Sequence, residues 1–441
     1  MALPEALAAV RMDRVAVVAP TDRLAEVLGA LSDAGAVQVE RLDPQATIPD
    51  AQATAFVRGA VSAYVGWSPH VAVDGLRARL AASGGAVVRL APPRGVDPPT
   101  LVSRTGPAHA FQPLVDTYAT MPYADVNPAL FAGLAYVVMF GMMFGDVAHG
   151  LLLAAGGVLL ASGRPRALAR LAHLAPFVVG AGLAAALFGW AYGEVFGPTH
   201  LVPALWMAPL DHPTTLLAVA VAAGGGLLAL AYALGTVNRW REGGPGRAVL
   251  ATAGVAGALL YLGLAVVGLG LYEHAAVALV AGATMAASGL SLGFLGCYAR
   301  GGAVAQAVIE LFDSVLRMGT NTVSFARLAA FGLTHAALGQ VVWSGTTGLW
   351  HRGAVLWVVA GAVFVVGNAV AFALEGLVAG VQALRLEYYE LFSRIFVTEG
   401  RPFRPWRSPA VSVSSSSPPV DPKASITLRL EGPKEAPCSP G

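Results

Sequence analysis

Apolar and polar positions follow two different rhythms along this chain, and the change falls near residue 129. From Arg11 to Pro92 the apolar runs are short. RVAVVA, then TDRLAEVLGALSDAG, then AVQVERL predicts a strand, a helix capped by Thr21 or Asp22 and stopped at Gly35, and a second strand. YVGW, SPHVAVDGLRARLAASGG and AVVRLAPP repeat that order, with Ser68 as the expected cap and Pro69 in the first helical position. Two tandem β-α-β units make a small α+β head over residues 1–92. Residues 93–128 are rich in proline and poor in periodicity, which predicts an extended linker.

Beyond that point the apolar runs reach membrane length. They cover roughly 129–162, 171–193, 214–237, 248–271, 275–298, 303–342 and 353–396. The first, 34 residues, spans about 51 Å as a helix, long for one crossing and short for two. Arginine placement decides how to thread it, because cytosolic loops carry the excess of cations. The loops 163–170 and 238–247 carry three Arg each and the end past Val397 carries Arg401, Arg404 and Arg407, whereas 193–213 and 271–274 carry none. With the Arg-rich loops in the cytosol, 129–162 must go in and come back, breaking near Gly141, Gly145 and Gly150. That predicts eight crossings: a mainly α membrane protein, an eight-helix bundle with two long tilted C-terminal helices. The membrane region is 129–397, followed by a cytosolic tail over 398–441 whose run VSVSSSSPPVDPK is expected to lack fixed structure.

Composition supports a lipid environment. Apolar residues make 56% of the 441 and charged residues 12%, against about 25% in an ordinary soluble protein. Only 22 charges fall in 129–397, while 22 fall in the shorter 1–128, so the middle is no water-soluble domain. A net charge of +2 gives no basic footprint for nucleic acid. Cys297 and Cys438 are too few for a disulfide framework or a thiolate metal site. The first twenty residues lack a signal-peptide pattern, so the amino terminus is expected in the cytosol.

Charges inside the apolar segments each need a partner, a wet cavity or a task. In 303–342, Glu310, Arg317 and Ser324 recur every seven residues beside a second row of Asp313, Thr320, Arg327 and Thr334, giving one polar helix face. In 353–396, Asn368, Glu375, Gln382 and Tyr389 do the same, with Arg385 three residues after Gln382. These stripes can zip together, Glu375 with Arg327 for instance, and Asp313 can pair with Arg317 one turn away. Arg327 and Arg385, which cannot discharge by losing a proton, suit instead an ion path in which a carboxylate must be made to release its own. Asp146 and His149 in FGDVAHG suggest a metal or proton site, against the plainer reading of a helix cap and tight turn, which is the one adopted. His335 reads as a buried hydrogen-bonded imidazole or a path residue, Glu194 as a solvated carboxylate, and Trp343, Trp350 and Trp357 as interfacial anchors. No Walker-type or nucleophile motif is present, so neither a nucleotide site nor a cofactor is expected in this chain.

The stretches MFGMMFGDVAHG (139–150), SFARLAAFGLTHAAL (324–338) and EGLVAGVQALRLEYYELFSRIFVTEGRPFRPW (375–406) closely resemble the membrane subunit a of rotary V-type ATPases, called subunit I in prokaryotes. RMDRVAVVAP, LSDAGAVQVE and TYATMPYADVNP extend the resemblance over most of 11–406. It implies a stator that provides proton or sodium half-channels against a proteolipid ring, working with peripheral or central stalk subunits, with ATP handled elsewhere. It also implies that Arg327 is the essential arginine, Arg385 the second arginine, and Glu375 and His335 residues lining the path, with Gln382 and Ser324 on the same stripes. The family's cytosolic half ordinarily carries a long helical arm between two α/β lobes; here about twenty residues, Asp43 to Tyr64, stand in its place. The competing expectation is therefore a non-transporting assembly or regulatory protein derived from that family. A compact prokaryotic form points to a bacterial plasma membrane with both termini cytoplasmic.

Overall fold

A computed structural model describes residues 8–93, 95–102, 107–164, 171–396 and 399–409. The head carries β1 (Met12–Pro20), α1 (Leu24–Ala34), β2 (Gln38–Val39), α2 (Ile48–Ala53), β3 (Phe56–Arg58), β4 (Val61–Pro69), α3 (Val73–Ala82) and β5 (Ala86–Leu90). The strands lie in the order β2-β4-β1-β5, all neighbours antiparallel, with β3 also paired to β4. The two β-α-β units are thus interleaved: the strands of each are separated by a strand of the other. Val15, Val17, Val27, Leu28, Leu31, Leu76 and Leu80 fill the space between sheet and helices.

Gly35 ends α1 in the left-handed conformation at φ 51°, as its glycine suggested. The expected caps do not form. Residues Thr21–Arg23 make a 3-10 turn ahead of α1, and Thr21 Oγ1 bonds Ser62 Oγ at 3.0 Å instead. Ser68 and Pro69 finish β4, and α3 starts after a second 3-10 turn at His70–Ala72. The stretch between the two halves is α2, closed by a Thr47–Asp50 capping box, and β3.

The linker is only partly extended. A 3-10 turn at Pro107–Phe111 leads into α4 (Gln112–Tyr118), and the Phe111 ring rests on Gly133, where no side chain would fit. At the other end the chain returns to the head. Thr100 N–H donates to Arg401 O at 2.7 Å, and Trp406, 1% exposed, joins the head core while its Nε1–H donates to Ala46 O at 3.0 Å. The sequence had assigned 399–409 to the tail beyond the membrane region, and here they pack on the head; the rest of that tail, 410–441, with its run VSVSSSSPPVDPK, lies outside the described residues, as do Arg166 and Arg170 of the loop used for orientation.

The membrane region begins with α5 (Ala129–Met143) and α6 (Val147–Ala161), then α7 (Ala175–Tyr192), α8 (Pro213–Leu250), α9 (Val255–Tyr272), α10 (Ala276–Gly301), α11 (Val304–Ser324), α12 (Ala326–Trp350) and α13 (Trp357–Leu386). A π-helical turn at Glu387–Phe392 and the short α14 (Ser393–Ile395) close it. Among the described residues six helical stretches are long and apolar enough to cross a membrane: Leu171–Tyr192, Pro213–Leu250, Val255–Tyr272, Ala276–Gly301, Val304–Trp350 and Trp357–Ile395. The expected eight are not reached by this measure. Helices α5 and α6 have 15 residues each, about 22 Å, short of the roughly 30 Å hydrocarbon layer. They form a hairpin nonetheless. Gly180 of α7 faces Val137 and Gly141 faces Ala184, so α5 runs with α7; Gly150 faces Ala186 and Gly157 faces Val179, so α6 runs against it.

Small residues let these helices touch backbone to backbone, which replaces the hydrophobic drive that lipid removes. Gly182, Gly263, Gly282 and Gly289 each meet the main chain of a neighbouring helix. The expected loop 238–247 is mostly helical: α8 continues to a break at Gly244 (φ 77°) ahead of Pro245. Arg239, counted from sequence as a loop cation, is buried there, its Nη1 2.9 Å from Glu242 Oε2.

Asp125, in the lead-in to α5, is buried against this pair. Burial, then the neighbouring Glu242 carboxylate, push Asp125 up to about 7, with Arg239 and Arg241 opposing. A carboxyl raised in the folded state holds a proton that the unfolded chain has lost, so stability must fall as pH rises from about 4 towards 7. Asp125→Asn is expected to flatten that part of the thermal-midpoint profile in detergent; an unchanged slope would place the titration elsewhere.

Candidate functional site

Two polar assemblies sit among the apolar helices, and the break between α11 and α12 positions the first. Phe325 tightens the chain by accepting a bond from Leu328 N–H at 2.9 Å. Its ring is fully buried against Gly224 of α8, where an added Cβ would overlap it. The long helical run expected over 303–342 is present as Val304–Trp350, with one tightened turn at Phe325 that sets the direction of Arg327 two residues on. The Arg327 side chain is 28% exposed, and its Nη1 lies 3.8 Å from Glu390 Oε1 without a hydrogen bond. A long ion pair of this kind leaves the guanidinium free to engage another acid. Beside it a groove of about 560 Å³ runs along Val315, Leu316, Gly319, Thr320, Val323 and Ser324.

Glu390 reaches Arg327 from the π-helical turn, an insertion that resets which face the last helix presents. Glu387, in the same turn, is fully buried with both carboxylate oxygens unpartnered. Arg385, on the last turn of α13, is exposed and lies near enough to interact with the Glu390 charge. Ser324 spends its hydroxyl on Thr320 O at 2.9 Å, and Gln382 keeps a buried, unpartnered Oε1. Glu310 and Asp313 fall to the other end of α11, where Asp313 pairs with Arg317 one turn away, as its spacing allowed.

The second assembly lies further along α12 and α13. His335 Nδ1 is hydrogen-bonded to Glu375 Oε2. Glu375 therefore does not zip with Arg327. Around that pair stand His149, with ring centroid 5.8 Å from His335, and the rings of Phe144 and Phe372. Asp146 caps α6, accepting from His149 N–H and from Gly197 N–H, each at 2.9 Å. The cap reading of Asp146 holds, but both His149 ring nitrogens remain buried without a hydrogen bond of ordinary geometry. Glu194, expected to be solvated, is only 5% exposed because the loop after α7 folds back and its carbonyl accepts from Val147 N–H.

Arg327, Ser324, Arg385 and Gln382 thus lie toward one end of the α12–α13 contact, and His335 and Glu375 lie deeper. Sequence reading missed Glu387 and Glu390. Their three-residue spacing in LEYYELF was a visible signal, but a straight-helix projection puts Tyr389 on the stripe and leaves the π turn out.

Comparison with known proteins identifies the setting. The V-type ATPase 116kDa subunit family matches residues 59–179 and 300–408, just over half of the chain and inclusive of both assemblies' α12 and α13 parts. Similar proteins include the A-type ATP synthase subunit I of Halobacterium salinarum, 28% identical over 70% of this chain and 51% of its own length. That of Thermococcus kodakarensis is 25% identical over 78% of this chain and 54% of its own, and that of Archaeoglobus fulgidus 26% identical over 78% and 58%. The chain spans about half the length of the curated relatives it matches. With six apolar membrane-length helices among the described residues, a small antiparallel head and these matches, the chain belongs to the V-type ATPase 116kDa subunit family.

Proposed function

We propose that this chain is the stator of a rotary V/A-type ATPase, offering proton or sodium half-channels to a proteolipid ring while other subunits make or hydrolyse ATP. The observation that carries the reading is Arg327: a cation in an apolar helix, loosely paired to Glu390 and standing at the edge of an open groove. A ring carboxylate brought against it is favoured in its ionised form, so it must give up its ion before passing. Arg385 adds a second cation near Glu390, and Ser324 and Gln382 line the approach. His335, Glu375 and the polar groups around them supply the deeper leg of the path. The α5–α6 hairpin adds two short crossings to six long ones, giving eight with both termini in the cytosol. The relatives named above, archaeal like most of the matches, do not favour a bacterial membrane.

The short connection of α2 and β3 favours a second reading, a non-transporting assembly or regulatory member that has lost the arm tying motor to stalk. ATP-driven ion uptake by vesicles carrying the assembled complex separates the two. Uptake that requires this chain supports the stator; full uptake without it supports the second reading.

A further inference from the structure

We propose that Asp146, His149 and His335 form a binding site for a divalent transition-metal ion, with Zn²⁺ the best match. One donor atom from each lies within 4.8 Å of the others, and all three residues are buried. They come from three places in the chain: the α5–α6 turn, the first turn of α6 and the middle of α12.

The state of His149 is what points to a ligand. It is 3% exposed, and neither ring nitrogen makes a hydrogen bond of ordinary geometry, the Asn368 side chain being the polar neighbour that comes near it. A buried imidazole ordinarily satisfies at least one of them, so this ring is held in place by Phe144, Phe196 and Phe372 without such a bond. The neighbours are already oriented as metal ligands are. Asp146 is fixed by two main-chain N–H groups, from His149 and Gly197, and retains lone pairs beyond those bonds. His335 gives its Nδ1 to Glu375, which leaves Nε2 as its free donor; a carboxylate behind a ligating histidine is the usual supporting arrangement.

Two imidazoles and one carboxylate select a borderline ion over Mg²⁺ or Ca²⁺, which want oxygen alone. Donor atoms around tetrahedral Zn²⁺ stand about 3.3 Å apart, as follows from bonds of roughly 2.0–2.1 Å. The His149 Nδ1 to Asp146 Oδ1 distance of 3.8 Å is near that already, and the three donor atoms lie within 4.8 Å of one another. Three protein ligands leave a fourth position for water. The ion would join the α5–α6 hairpin to α12, two parts of the bundle that otherwise meet through apolar contacts. The site shares His335 and Glu375 with the deeper leg of the proposed path, so a bound ion would occupy that leg; binding itself can be measured whether or not the chain transports.

The test uses the full chain, purified in detergent, tag-free and stripped with chelator, and titrated with Co²⁺ as a visible probe, then with Zn²⁺ in competition. One Co²⁺ per chain with the intense d–d absorption of a four-coordinate site, displaced by Zn²⁺, is expected. Affinity should fall at least about tenfold in His149→Gln and in His335→Gln, and by a similar factor in Glu375→Gln through the lost support. His351→Gln, at the exposed end of α12, should bind as the native chain does. Elution volume and circular dichroism report folding of each variant, and Asp146→Asn, which keeps an oxygen for the cap, stands in for any histidine variant that fails to fold. No saturable Co²⁺ binding, or binding undiminished when both histidines are replaced, overturns the proposal. Ion uptake is read separately, with the native chain in vesicles carrying the assembled complex: saturable Co²⁺ binding without uptake fails the stator reading alone, and uptake without saturable Co²⁺ binding fails the metal site alone.

Discussion

Replacing Arg327 by Ala is expected to bring ATP-driven ion uptake to about 1% of the native complex or less, with assembly and ring content unchanged. The estimate follows from what the guanidinium does to a facing acid: an opposite charge at close range lowers a carboxylate pKa by about 1–3 units, and without it the acid keeps its proton as it passes. Arg327→Lys should also fail. A lysine holds the charge but as a compact, heavily hydrated point, and in the proposed stator it would not span Glu390 on one side and a ring acid on the other as the planar fork would. Arg385→Ala should cost less, because Arg385 is exposed and acts on Glu390 at longer range. Uptake in Arg327→Ala at half the native rate or more would remove this residue from the path.

The second large effect is structural. Trp406→Ala is expected to destabilise the head by about 3–5 kcal/mol, the usual cost of truncating a large buried aromatic. Trp406 is 1% exposed, its Nε1–H bonds Ala46 O, and its own N–H bonds Val37 O at 2.8 Å. Losing the ring releases the returning segment 399–409 from β2 and leaves an apolar hollow beside Leu31 and Val39. A lower thermal midpoint with earlier proteolysis past residue 396 reports the change. Trp406→Phe should recover most of the packing and lose only the Ala46 bond, worth roughly 1 kcal/mol. An unchanged midpoint in Trp406→Ala would mean that the head does not rely on this strap.

Much of this was legible in the sequence. Membrane segments announce themselves because lipid demands unbroken apolar runs, and glycine stops such as Gly35 have a local cause. Arg327 and Arg385 stood out because arginine cannot shed its charge. What escaped was set by contacts distant in sequence. The tightened turn at Phe325 exists because Gly224, a hundred residues earlier, leaves room for its ring. The partner of Glu375 is His335 rather than Arg327 because the packing of α12 against α13 sets Glu375 about two turns along α12 from the arginine, which Glu390 of the π turn meets instead. Strand order in the head eluded the pattern for the same reason: each β-α-β unit is locally complete, and only long-range pairing shows that the two interleave. Trp406 looked like the start of a tail because its surroundings are Pro, Ser and Arg, and its socket lies at the opposite end of the chain.

Cysteine cross-linking in the assembled membrane complex asks whether the groove beside Arg327 faces a ring acid, as the proposed stator requires. With Cys297 and Cys438 replaced, a single cysteine goes in at Thr320 or Val323, on the exposed wall of the groove, and a partner cysteine goes next to the membrane carboxylate of the ring subunit. Rapid cross-links are expected at both positions, and none at Leu183, exposed on α7. Cross-links that form at Leu183 while Thr320 and Val323 stay unmodified would contradict it.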